Sequence, residues 1–395
     1  MTDRPLQRSR VLSARASLIE YGSVAVLLAA VVVVGTVLRR VLNQLMHVPP
    51  TNDPIIGPGG AFTGHILLAV VYTVLVMLVV GVSYVLIRDW TDRLDRVASP
   101  DLVTIAGTIG AAAFVIAYLA IELIQQSVTP IAVYLAGPAT IGVLAVGYIQ
   151  YRDVTVQRAL PGSDALPTVL GVAVVAVIAG SGVLFGVGTG RDMGFEWFFE
   201  PRIGPIEILR SVVVTGVLGG VGYALLYNAA IQGRLAGVTG PAQAVAAVTV
   251  LLPVRAWAGA KISSLTAAGQ RAMSSVPLAQ SLGRAIAAVV VGVMVAWLFA
   301  RSVEIVQSRV DGRVTPLYSG IAAVAVVSIG AVLTTLVRGD PAVGALPMIS
   351  LAAVPAAAAI GYERTESVWV PGLAFGAYFV LIDSAIGQYL FAVIY

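Results

Sequence analysis

The chain has 395 residues, of which 58% are hydrophobic and 11% charged. Soluble domains carry about 25% charged residues, so a water-soluble globular fold is excluded. The net charge of +4 rests on loop arginines, with Lys261 the sole lysine, and no basic cluster on a solvated face argues for a nucleic-acid partner.

Apolar runs of about 20 residues recur along the whole length, which is the span of a bilayer core. The expected fold is all-α: a polytopic transmembrane helical bundle of about eleven spans. Small residues, including 41 glycines, suit close helix packing in lipid. The absence of cysteine excludes disulfides and thiolate metal sites.

Residues 1–20 form a polar segment, 21–150 a four-helix transmembrane part, and 151–395 a second transmembrane part with an extra stretch near 256–330. Arg4, Arg8, Arg10 and Arg15 precede the first span, 21–38, and predict a cytoplasmic N-terminus in a multi-pass cell-membrane protein. The Pro- and Gly-rich loop after it holds His47 and Asp53, and His65 opens the second span, 65–87. Zinc usually takes three or four protein ligands, so these two histidines read better as interfacial polar groups than as a metal site.

The loop 88–101 alternates Arg and Asp, as a solvated turn does. The third span, 102–124, carries Glu122 in its last turn, and the fourth runs over 130–149. The sequence GYIQYRDVTVQRALPGSDALP then leads to a fifth span, 168–187. The aromatic loop 191–205 sets Trp197 beside Glu196 and Glu200 and reads as an interfacial anchor.

The sixth span, 208–231, ends in GYALLYNAAIQGRLAGVTGPA. An apolar seventh, Pro241–Arg255, follows at once. Gly259–Ser281 reads as a loop or interfacial helix, and spans over 284–303, 317–337 and 343–360 come next. A charged turn, Tyr362–Glu366, leads to Trp369, Pro371 and a last span over 371–395 that contains Asp383. An ionisable residue inside a span is a functional hypothesis by default, which singles out Asp383 and Glu122.

The run GYERTESVWVPGLAFGAYF and the tail QGRLAGVTGPA resemble the CPBP intramembrane metalloproteases, the CAAX-processing and bacteriocin-protection group. The stretch around YRDVTVQRALPG resembles archaeal members more weakly. The resemblance implies that the family's Glu pair falls on Tyr223 and Ala224, and its Arg on Asn228. It puts the metal-ligand His of the last helix at Phe375 and the following Asn at Phe379. A further His falls on Arg255 or Arg338, depending on which of two helices corresponds.

Neither Tyr nor Ala is a carboxylate base at neutral pH, and a guanidinium has no lone pair for zinc. Active members use zinc. This chain is therefore expected to hold no cofactor, no metal ligands and no catalytic residues, and to be a pseudo-protease. Its expected partners are membrane lipid, a prenylated or lipidated chain, or a partner's transmembrane helix. If so, Tyr223, Phe375 and Phe379 should lie together. A secondary transporter or channel using Glu122 and Asp383 is the alternative. An active protease with an unusual ligand set would need His47 or His65.

Overall fold

The structure, a computed structural model, describes residues 4–46, 131–156, 160–190, 210–267, 278–310, 314–337 and 345–383. The described residues form helices and no strand. In chain order these are α1 (Arg4–Met46), α2 (Ile131–Tyr151), α3 (Leu166–Gly190), α4 (Ser211–Thr239) and α5 (Pro241–Ala267). α6 (Leu278–Arg309), α7 (Pro316–Val337), α8 (Leu346–Thr365) and α9 (Trp369–Ile382) follow.

Among the described residues 7 helices are long and apolar enough to cross a membrane, so the chain is an integral membrane helical protein. The expected second and third spans lie outside the described residues, as do His47, Asp53, His65, Glu122, Glu196, Glu200 and Arg338.

Contacts divide the chain into two units, Met1–Val33 with Gly142–Tyr395, and Val34–Ile141. The second is described only where α1 ends and α2 begins. In the first, α5 packs on α6, α7 and α8, while α3 packs on α8 and α9, and α9 on α4. The apolar window of α5 is 72% buried and that of α7 only 11%, so α5 is central and α7 faces outward.

α4 and α5 are joined by one residue, Gly240, whose φ of 99° lies in the region glycine adopts without a Cβ penalty. Pro241 then occupies the first position of α5, where the missing N–H has no helical partner to lose. Pro138, Pro253 and Pro355 sit inside helices, as membrane helices permit.

Two expected boundaries move. α5 continues through Gly259–Ala267, where a loop or interfacial helix was expected, because no proline lies between Val254 and Ala267 and a lone Gly259 is tolerated inside a helix. α8 runs on to Thr365 and absorbs most of the charged turn. Its last turn is closed by the Thr365 hydroxyl donating to the Gly361 carbonyl at 2.7 Å, and Glu366 stops it in the left-handed region at φ 51°.

α4 is not a plain α-helix. Ser211–Leu218 and Ala224–Gln232 wind as π-helix on either side of a short α-helical piece, Gly219–Tyr223. Wide turns of this kind are rare and concentrate at functional sites.

Candidate functional site

α4 crosses α9 through glycines. A Cβ on Gly220 would meet the Gly372 carbonyl oxygen at 2.6 Å, and one on Gly376 would meet the Gly216 carbonyl oxygen at 2.9 Å. Glycines four apart on both helices let the backbones touch, the small-residue packing that drives helix association in lipid.

The same crossing brings aromatic side chains of the two helices together. The Tyr223 ring lies edge-on to Phe379 with centroids 4.7 Å apart, and 5.6 Å from Phe375. Tyr227 stacks on Tyr223 at 5.5 Å and approaches Phe375 at 6.3 Å. Phe375 and Phe379 are 6.0 Å apart. Such pairs add about 0.5–1.5 kcal/mol each beyond burial. Tyr227 and Phe375 are fully buried, whereas Tyr223 and Phe379 are partly exposed, so the cluster is closed on one side and open on its flank.

Arg255 reaches this cluster from α5, with its guanidinium hydrogen-bonded to the Tyr223 side chain and electrostatically close to Tyr227. Its backbone is gripped by α6, where a Cβ on Gly292 would lie 3.1 Å from the Arg255 Cβ. An arginine at mid-span costs about 2.5–3.5 kcal/mol on insertion scales. The hydroxyl of Tyr227 is buried and has no hydrogen-bond partner.

One turn on, the polar residues change character. Asn228 Nδ2 donates to Gln232 Oε1 at 2.8 Å. Gln232 Nε2 donates to the Ala359 carbonyl at 3.0 Å and to Glu363 at 3.2 Å. Both amides are fully buried, and this ladder fastens α4 to α8. The Asn228 Oδ1 accepts nothing. Ala224, where the resemblance puts a glutamate, is fully buried apolar packing.

Charges bracket the two ends of α4. At its start, Arg210 pairs with Asp383 at 3.5 Å, and Thr215 donates to the same carboxylate at 3.2 Å. At its end, Arg234 grips Glu20 with two bonds of 3.0 and 2.6 Å, and Arg152 pairs with the same carboxylate. Arg210 and Arg234 are separated by at most about 36 Å at 1.5 Å per residue, close to a bilayer core of about 30 Å. Tyr223, Tyr227 and Arg255 thus lie between the two charged layers.

Asp383 is therefore partnered by α4 and stands at the end of α9. Sequence reasoning passed over Glu20, Tyr227 and the hydrogen bonding of Gln232.

In comparisons with protein-family models, curated proteins and solved structures, nothing matches this chain, and nothing in them points to the intramembrane metalloproteases.

Proposed function

We propose that the chain is a non-catalytic relative of the CPBP metalloproteases that binds a lipid, a prenylated chain or a partner's transmembrane segment in the membrane. The observation that carries this reading is the meeting of Tyr223, Phe375, Phe379 and Arg255 at one point between α4, α5 and α9. The resemblance implies a carboxylate at Tyr223, an imidazole at Phe375, an amide at Phe379, and a further imidazole at Arg255 or Arg338. Phenylalanine rings and a guanidinium offer no lone pair to zinc. The partly exposed flank at Tyr223, Arg255 and Phe379 is the surface on which an apolar chain would lie.

The N-terminus is assigned to the cytoplasm of a cell membrane on its four arginines, with Arg152 and Arg234 on the same side. Asp383, held by Arg210 and Thr215, gives the transporter alternative little to work with.

The test is elemental analysis of the detergent-purified protein together with cleavage of CAAX-type peptides. Metal-free, inactive protein that retains co-purified lipid or prenylated chain agrees with the reading. Stoichiometric zinc with robust cleavage overturns it.

A further inference from the structure

Arg255 brings a permanent positive charge to Tyr223, in the middle of α4. Its polar partners among the described residues are the phenols of Tyr223 and Tyr227. A snorkelling arginine would turn toward the membrane surface. This one turns inward to the ring cluster. The fully buried Tyr227 hydroxyl beside it lacks a partner. Among the described residues no carboxylate pairs with this charge, and a guanidinium beside an unused hydroxyl donor makes the two halves of an anion site.

We propose that Arg255, with the hydroxyls of Tyr223 and Tyr227, binds the anionic group of an amphiphile, a carboxylate or a phosphate. The planar guanidinium fork matches either oxyanion with two parallel hydrogen bonds. The amphiphile is favoured over a free ion because the site is reached from the bilayer. Arg255, Tyr223 and Phe379 are partly exposed, and the neighbouring Trp257 is 41% exposed on the outside of α5. An alkyl or prenyl tail would lie along that apolar flank while the anion turns in to Arg255. The proposal rests on the binding role argued above and names the chemistry of the guest.

The test uses the full chain purified in a neutral maltoside detergent, with thermal unfolding followed as palmitate, dodecyl phosphate, dodecanol or inorganic phosphate is added. Palmitate or dodecyl phosphate should raise the unfolding temperature saturably, and dodecanol and inorganic phosphate should not. Arg255→Gln should abolish the shift and Arg255→Lys retain part of it. Tyr227→Phe removes a hydroxyl that bonds to nothing in the unliganded protein, so it should fold normally and bind about tenfold more weakly.

An equal shift with dodecanol or inorganic phosphate, or unchanged affinity in Tyr227→Phe, overturns the proposal. So does a shift that survives in Arg255→Gln. Zinc content measured on the same samples separates the two readings. Metal-loaded, active protein defeats the non-catalytic role. Metal-free protein without an Arg255-dependent shift defeats the anion site alone.

Discussion

Gly220 of α4 lies against Gly376 of α9 so closely that a Cβ on Gly220 would sit 2.6 Å from the Gly376 amide nitrogen. The obstructing atoms are backbone, which cannot rotate away. Gly220→Ala must therefore push the helices apart, at a cost of about 1–3 kcal/mol. It should also loosen the ring contacts of Tyr223 with Phe375 and Phe379. Gly142, with nothing near its Cβ position, is the control and should tolerate alanine. Thermal unfolding in detergent, with tyrosine fluorescence as a local probe, reads both effects.

Glu20 is the hub at the other end of α4. Its carboxylate is 9% exposed and serves both Arg152 and Arg234. Removing the hub strands two partly buried cations at once, whereas removing one arginine leaves the other pair. Glu20→Ala should destabilise by about 3 kcal/mol and Arg152→Ala by less, since the two-bond grip of Arg234 remains. Equal losses in the two variants, measured by chemical unfolding, would contradict this ordering.

The helical, membrane-bound character of the chain was legible in composition alone, because apolar runs of bilayer length leave no other arrangement for the backbone. The nearness of Tyr223, Phe375 and Phe379 was expected from turn residues flanking two helices that are far apart in sequence. The choice between Arg255 and Arg338 was not legible. Each follows an apolar run in the sequence; Arg255 reaches Tyr223, and Arg338 lies outside the described residues.

The π-helical winding of α4 has no marker in the residue pattern. Glu20 was hidden for another reason: its partners are distant in sequence, so no local periodicity could pair them. The polar residues after Arg255 suggested a loop or interfacial helix, yet polarity without a proline did not end α5.

Gln232 and Asn228 should respond unequally to substitution. Gln232 makes bonds to Asn228, Ala359 and Glu363. Asn228 makes one of these bonds and already leaves its Oδ1 without a donor. Gln232→Leu should cost about 2–3 kcal/mol, because it strands the buried Asn228 amide and removes the bonds that tie α4 to Ala359 and Glu363. Asn228→Leu removes an unsatisfied acceptor along with one bond and should cost under about 1 kcal/mol. Unfolding midpoints of the two variants check the order.

If the meeting point of α4, α5 and α9 is a former metal centre, ligands restored there should bind metal. Tyr223 touches both Arg255 and Phe375, so the three side chains already converge. The combined variant Tyr223→Glu, Arg255→His, Phe375→His supplies one carboxylate and two imidazoles, the donor set of many zinc hydrolases. It also removes the positive charge that would repel a cation. The combined variant should bind about one zinc per chain, and each single substitution essentially none, because fewer than three ligands hold zinc weakly. Elemental analysis after dialysis against trace zinc, with circular dichroism to verify helical folding, reads the outcome. A folded triple variant that takes up no more zinc than the parent would remove the main geometric support for kinship with the metalloproteases.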